Sequence, residues 1–395
     1  MKWLSLVCED RPAPKALETC IRQTREAAGD SPDLSLLFVN TAAEEETERL
    51  LETAKKLLAP KTLLGCSASG IIGGGQEIED RPAVGLICAW LPGVRVFPFR
   101  LTQKDLPSPD DPPKAWSQLI GVMNDRAMRA NFILLSDPFS INPETLAQGL
   151  DYAYPGSVKI GGLASRGRRP GENALFLDRE SRPAGAVGVA LTGNLVVDPI
   201  VAQGCRPVGR PYKVTQCEDN VLAELDDRRI PEIFEELFAS LSEKDRELAG
   251  HSLFLGILNN PLKAISSAKD YLIRNLIGFD PERGLLSVSA LLRPGQIIQF
   301  HIRDKETSAK DLQRHLEEYK NRNPGIKPEG ALLFSCTGRG RGLYGRPNHD
   351  SEIFADKMGP LALGGFFANG EIGPVDNATH IHGYTSCFGL FRPTH

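Results

Sequence analysis

The densest cluster of chemically capable residues is Phe334-Ser335-Cys336-Thr337-Gly338-Arg339-Gly340-Arg341-Gly342. Glycines directly after an apolar run let backbone N–H groups approach a ligand, and two guanidinium forks suit a carboxylate or a phosphate. Gly338, Arg339, Gly340 and Arg341 therefore form a candidate anion site. The segment is not a dinucleotide fingerprint, because Leu343 stands where the third glycine belongs, and the chain has no GxxxxGK[ST] run. The alternative reading is a tight turn whose arginines are solvated or paired with Asp350 or Glu352.

A second cluster runs from Gly364 to Gly373 and includes Gly370 and Glu371, with His380, His382, Thr385 and Ser386 behind it. A carboxylate in a glycine-rich turn can accept a ligand ammonium group while Arg339 or Arg341 holds a carboxylate, which together would complement an amino acid or a similar zwitterion. Alternatively, Glu371 caps local N–H groups. His380 and His382 lack a spaced carboxylate, so no metal site is expected, and no cofactor motif is present. Cys66 and Cys336 both fall near strand ends. Either could act as a group-transfer nucleophile if His382 lay within reach, and either could be a small buried hydrophobe. Ser67-Ala68-Ser69-Gly70 does not match the GxSxG hydrolase elbow.

The elements that must position these residues recur. Leu34 to Val39 reads as a buried strand, Glu44 to Leu58 as an amphipathic helix, and Leu63-Leu64 leads into Gly65-Cys66-Ser67-Ala68-Ser69-Gly70. Phe132 to Asp137, the helix Asn142 to Ala153 and Gly161 to Gly167 repeat the order; Ala331 to Cys336, Ser351 to Met358 and Gly364 to Gly370 repeat it again. The intervals from Leu36 to Gly65, Ile133 to Gly161 and Leu332 to Gly364 are 29, 28 and 32 residues. The pattern predicts repeated β-α-β-β units, with Leu253 to Ile302 as a degenerate fourth copy whose strands 285–292 and 296–303 form a hairpin. Ala174 to Leu177, Ala186 to Thr192 and Leu195 to Gln203 read as a meander, and Val214 to Leu225 as a hairpin. The fold class expected is mixed α/β, in two related halves with mixed sheets flanked by helices. The division is placed at 1–225 and 226–395, within the charged helical stretch that follows.

Composition narrows the function classes. Of 395 residues 41% are hydrophobic and 24% charged, a globular balance. The net charge of −4 argues against a general nucleic-acid binder. No apolar run reaches the roughly 18 to 20 residues of a membrane span, and acids interrupt the N-terminus too early for a signal peptide, so a cytoplasmic location is expected. The eight cysteines include no CxxC pair and read mostly as reduced core residues.

These segments together resemble the FIST family, whose proteins join a FIST N-terminal domain to a FIST C-terminal domain. In the first half the resemblance rests on Leu64-Gly65-Cys66-Ser67, Ile160-Gly161-Gly162-Leu163-Ala164, Gly185 to Leu191, and Gln203 to Gly209 followed by Val214-Thr215. In the second it rests on Tyr271 to Asn275, Phe334 to Gly340, and Gly364-Gly365-Phe366 through Gly370-Glu371-Ile372-Gly373-Pro374. Ser165-Arg166-Gly167 departs from the family, which more often has an acid there. The resemblance implies a sensory role, with small ligands such as amino acids, and carries over no catalytic residue. No kinase, receptor or F-box segment accompanies these regions, so signalling is expected to pass through a partner protein. Three readings follow: a ligand-binding sensor with a polar pocket built from the turns 65–70, 161–167, 338–342 and 364–373; a cysteine-dependent enzyme; and an interaction scaffold with no ligand. For the first, the candidate ligand-binding residues are Cys336, Gly338, Arg339, Gly340, Arg341, Gly370, Glu371, His382 and Thr385.

Overall fold

A computed structural model describes residues 1–9, 12–41, 44–79, 81–123, 129–259 and 271–394. The chain forms two compact units. The first contains Met1–Ala202, Gln313–Ile381 and Thr385–His395; the second contains Gln203–Leu312 and His382–Tyr384. The boundary expected at 225/226 thus separates stretches of sequence, whereas packing divides the chain after Ala202 and within the helix that follows Lys305.

The first unit is built from three copies of one pattern. The first copy comprises β1 (Lys2–Cys8), α1 (Ala13–Ala28), β2 (Leu34–Val39), α2 (Glu44–Thr53), β3 (Thr62–Ser67), the hairpin β4 (Ile71–Gly73) and β5 (Gln76–Ile78), and β6 (Val84–Trp90). The second comprises β7 (Val94–Leu101), α3 (Pro113–Ile120), β8 (Asn131–Ser136), α4 (Pro143–Ala153), β9 (Lys159–Leu163), the hairpin β10 (Leu175–Leu177) and β11 (Glu180–Arg182), and β12 (Ala186–Gly193). The third begins with β13 (Val196–Ala202) and is interrupted by the second unit: β14 (Cys205–Glu218), β15 (Val221–Leu225), β16 (Arg228–Arg229), α5 (Ile230–Ser240), α6 (Glu243–Ser252), β17 (Leu253–Leu258), β18 (Tyr271–Asp280), β19 (Leu285–Val288) and β20 (Ile297–Arg303). It resumes through α7 (Lys305–Arg322), β21 (Gly330–Cys336), α8 (Gly340–Tyr344), α9 (His349–Met358), β22 (Leu363–Ala368), β23 (Glu371–Val375), β24 (Ala378–His382) and β25 (Ser386–Arg392).

Each copy contributes a β-α-β crossover whose two strands pair in parallel: β2 with β3, β8 with β9, β21 with β22. The returning strand (β6, β12 or β25) lies antiparallel on the other side of the central strand. The hairpins are exchanged in a cycle. The first copy's β4–β5 extends the third sheet beyond β22, the second copy's β10–β11 extends the first beyond β3, and the third copy's β23–β24 extends the second beyond β9. Three six-stranded mixed sheets of matching order result. Their inner faces share one core: Leu36 and Phe38, Ile133 and Leu135, and Leu332 and Phe334 all enter it. The alternate residues face outward, Leu37 and Val39 toward α1 and α2, Phe132 and Leu134 toward α3 and α4.

Local sequence accounts for the helices. Pro143 opens α4 behind Asn142, whose side chain accepts the Thr145 N–H at 2.9 Å. The helix expected over 44–58 is α-helical only to Thr53 and closes with a π-helical turn, Ala54–Leu58, before Ala59 turns left-handed.

Several sequence expectations are corrected. The leading glycines of the recurrent runs do not sit in turns; Gly65, Gly161 and the pair Gly364-Gly365 lie inside the parallel strands, where Gly65, Gly161 and Gly365 stand opposite Leu37, Leu134 and Leu333, and only the later glycines such as Gly70 and Gly370 follow the strand ends. The strands of the expected meander fall in three different sheets. Among the described residues of the second unit no fourth copy appears; their pairings are all antiparallel and run β14-β20-β17-β18-β19-β15 before returning to β14, closing a barrel around Leu255, Leu286 and Phe300. The strand at 285–288 pairs with β18 and β15 rather than with β20. The expected hairpin of β14 and β15 is present. The helix-like stretch read in the supposed fourth copy lies largely outside the described residues. Among the described residues no helix is long and apolar enough to cross a membrane.

Candidate functional site

The threefold pattern brings three strand ends together. Aligning Gly65, Gly161 and Gly365 makes Ala68, Ala164 and Ala368 equivalent, and after them Ser69, Ser165 and Asn369. Equivalent backbone bonds link each copy to the next hairpin: Ser67 N–H to Ala174 O at 2.8 Å, Leu163 N–H to Gly370 O at 2.9 Å, Phe367 N–H to Gly70 O at 3.0 Å. A second set begins in the same way, with Asn369 N–H on Leu163 O at 3.0 Å and Ser165 N–H on Ser67 O at 3.4 Å. Its third member is replaced by a side chain: Ser165 Oγ accepts the Ser69 N–H at 3.0 Å and donates to Phe367 O.

A cavity of about 600 Å³ opens on this ring, lined by Ser69, Gly70, Glu79, Phe139, Ser165, Gly167, Arg168, Thr337, Phe367 and Asn369. Its wall is braced from behind. Asp137 accepts the Ser140 hydroxyl at 2.6 Å, the Phe139 N–H at 3.2 Å and an Asn173 N–H at 2.9 Å, and Asn173 Oδ1 receives the Gly167 N–H at 2.7 Å. The cavity therefore holds one carboxylate, one guanidinium, an amide, hydroxyls and two aromatic rings, within the size range of small-ligand sites.

None of the nine residues expected from sequence lines this cavity, although Thr337 lies between Cys336 and Gly338 and Asn369 directly precedes Gly370. Arg339 is fully buried and bound to Asp350, Nε at 2.8 Å and an Nη at 3.1 Å, with Tyr344 Oη at 2.7 Å. Arg341 is exposed, and its backbone N–H meets the Glu79 carboxylate at 2.9 and 3.2 Å. Gly340, at φ 58°, makes room for that carboxylate; a Cβ there would stand 2.5 Å from Glu79 Oε2. The anion at the glycine-arginine turn is thus the protein's own Glu79. Gly338 N–H points to Cys336 Sγ at 3.5 Å. Glu371 is buried and accepts the Thr385 N–H at 3.2 Å, while Thr385 O accepts the Cys336 N–H at 2.9 Å. Gly370 packs against Leu163 and supplies one carbonyl of the ring. His382 ends β24, is buried, and belongs to the second unit. Cys66 is fully buried, and burial pushes its thiol well above its ordinary value, which opposes thiolate chemistry there. No cluster of three or more potential metal ligands occurs among the described residues.

Ser69, Gly70, Ser165, Gly167, Phe367 and Asn369 fall within the turns 65–70, 161–167 and 364–373 from which a polar pocket was expected, although none of them was singled out as a ligand-binding residue. Glu79 and Arg168 lie outside those turns and were missed, and the repeat itself marks Ser69, Ser165 and Asn369, since they occupy one equivalent position.

Glu77, two residues before Glu79, is buried and accepts the Ser351 N–H at 2.7 Å. Burial, reinforced by the nearby Asp350 carboxylate, pushes its carboxyl up to about 7 from 4.5. The folded state therefore holds this proton more tightly than the unfolded chain, and stability falls as pH rises from 4.5 through 7. Glu77→Gln is expected to stabilise the protein by on the order of 2 kcal/mol near pH 8 and to have little effect near pH 4.5, as measured by urea unfolding at both pH values. A gain independent of pH would rule out the titration.

Comparison with known proteins extends this description. Residues 33–228 match the FIST N domain and residues 232–374 the FIST C domain. The uncharacterized protein Rv0628c of Mycobacterium tuberculosis is 34% identical over 376 residues, covering 95% of both chains. The uncharacterized protein Mb0898c of Mycobacterium bovis is 35% identical over 387 residues, 98% of this chain and 97% of its own. An F-box/LRR-repeat protein of Arabidopsis thaliana is 24% identical over 265 residues, 58% of this chain and 49% of its own. With both domains matched across most of its length, the chain belongs to the FIST family.

Proposed function

We propose that this protein is a small-molecule sensor whose ligand, an amino acid or a similar zwitterion, binds in the cavity at the three strand ends. FIST domains are generally taken as small-ligand sensory domains in signal transduction. The observation that carries the finer reading is the pairing of one carboxylate, Glu79, with one guanidinium, Arg168, around a cavity of about 600 Å³. Arg168 offers a fork to a ligand carboxylate and Glu79 an acceptor for an ammonium group. Ser69, Ser165 and Asn369 supply short polar groups on the ring, and Phe139 and Phe367 supply apolar wall. Ser165 belongs to the segment where this chain departs from its family, so ligand preference is expected to differ from that of relatives carrying an acid there. In this reading Gly340 and Arg341 act through Glu79, and Arg339, Glu371 and Thr385 support the strand ends rather than touch ligand. Signalling passes to a partner protein in the cytoplasm.

Thermal-shift measurements against amino acids and small carboxylates at millimolar concentration test the proposal. A ligand at about one hundred times its Kd stabilises by about 2.7 kcal/mol, a readable rise in Tm. The rise is expected to vanish in Glu79→Gln and in Arg168→Gln. If no compound raises the Tm, the sensor reading is lost.

A further inference from the structure

A second cavity in the first unit, about 630 Å³ in volume, lies away from the strand ends between the close of α2, the start of β3 and the β10–β11 hairpin. Its lining carries four cations, Lys55, Lys61, Arg100 and Arg179, against two carboxylates, Asp178 and Glu180. The charges cancel only in part, although Glu48 and Glu52 line the adjoining cavity that Lys55 and Arg179 also face. Lys61 is paired with Asp33 at 2.6 Å. Asp178 Oδ1 accepts the Leu63 N–H at 3.1 Å, and Glu180 is shared between Arg182 at 3.3 Å and Arg100 at 3.8 Å. Lys55 and Arg179 form no ion pair among the described residues.

Arg100 is the telling member. Its Nη1 is shielded from solvent and has no hydrogen-bond partner among the described residues. Among the described residues of this unit, the fully buried cations Lys159 and Arg339 have hydrogen-bond partners. Lys159 reaches Asp151 and the carbonyls of Tyr154 and Ser157, and Arg339 reaches Asp350. A buried guanidinium donor without an acceptor is unfavourable, and Lys55 and Arg179, which form no ion pair among the described residues, leave uncompensated positive charge on the same lining. An anion would relieve both. Lys55 is presented by the π-helical turn that ends α2, an irregularity often retained at functional sites.

We propose that this cavity binds a small, multiply charged oxyanion, whose phosphoryl or carboxylate groups accept from Arg100 and are neutralised by Lys55 and Arg179. The site is independent of the strand-end cavity, with which it shares no lining residue. Its size fits a metabolite-sized ligand rather than a polymer.

Isothermal titration of the full chain at constant ionic strength, with inorganic pyrophosphate and with citrate as probes, tests it. One saturable site is expected for at least one probe, and the tighter probe tells phosphoryl from carboxylate recognition. Arg100→Gln should abolish it. Because Arg100 is partly buried, the exposed pair Lys55→Gln and Arg179→Gln provides a variant that keeps the fold, and it should weaken binding about tenfold or more. Glu79→Gln should leave the affinity unchanged, which separates this site from the sensor cavity. Absence of saturable heat up to about 10 mM of either probe, or unchanged affinity in the double variant, would overturn the proposal.

Discussion

Gly161→Ala is expected to leave little folded protein under conditions in which the parent chain is stable. A Cβ at position 161 would stand 1.8 Å from Leu134 O, 2.8 Å from its carbonyl carbon and 3.0 Å from its nitrogen. Those atoms are backbone, so no side chain can swing aside. Relief requires pulling β9 away from β8, and β8 carries Ile133 and Leu135 into the shared core. The cost should reach about 4 kcal/mol or more, a large share of the 5 to 15 kcal/mol that typically holds a domain together. The equivalent changes at Gly65 and Gly365, where a Cβ would meet Leu37 O at 2.0 Å and Leu333 O at 1.8 Å, should behave alike. Gly250→Ala, in an exposed helix with nothing within 4 Å of the added carbon, should be neutral or stabilising by up to about 1 kcal/mol. Soluble yield and thermal unfolding followed by circular dichroism separate these outcomes. A parent-like Tm for Gly161→Ala would show that the two strands can part at little cost.

These glycines explain why the repeat was legible in the sequence. Close approach of paired strands forces the residue type, and a crossover helix of similar length keeps the interval nearly constant. Mixed α/β architecture followed from the same alternation of buried strands and amphipathic helices. What local sequence does not carry is which distant strand a hairpin joins. Nothing near Ile71 signals that β4 will pair with β22, which begins at Leu363, and nothing near Ala202 marks the insertion of a barrel into the third copy. The site was half legible for a related reason. Charged residues drew attention to Arg339 and Glu371, yet full burial gives each an intramolecular partner. The cavity falls instead to Thr337 and Asn369, their less conspicuous neighbours, and to Glu79 and Arg168, which lie in other copies and converge only through the exchanged hairpins. Of the two readings open for Arg339, pairing with Asp350 is the one the geometry realises.

The largest electrostatic effect should come from Asp350. Its carboxylate receives Arg339 Nε at 2.8 Å, a second Arg339 nitrogen at 3.1 Å, the Ser386 hydroxyl at 2.6 Å and the Ser335 hydroxyl at 3.3 Å, with His349 Nδ1 at 3.1 Å. Burial alone would push the carboxyl up, but the Arg339 charge and hydrogen bonds from His349, Arg339 and Ser386 outweigh it and hold the group well below the usual carboxylate range. Asp350→Ala strands a fully buried guanidinium and is expected to cost about 3 to 5 kcal/mol in urea unfolding at neutral pH. Arg339→Met should also destabilise, because it strips the buried carboxylate of its guanidinium partner. Combining Arg339→Met with Asp350→Leu in one chain is expected to cost less than either Asp350→Ala or Arg339→Met alone, since it removes both charges and their desolvation together. A depressed carboxyl stabilises the fold above the unfolded-state pKa near 4 and loses that contribution as pH falls below it. The parent's advantage over Asp350→Ala should therefore shrink in acid. Effects in the double variant that are purely additive over the Arg339→Met and Asp350→Leu single variants would mean that the two groups are held by separate partners, and the pair could then no longer be the feature that fixes the turn from Thr337 to Tyr344.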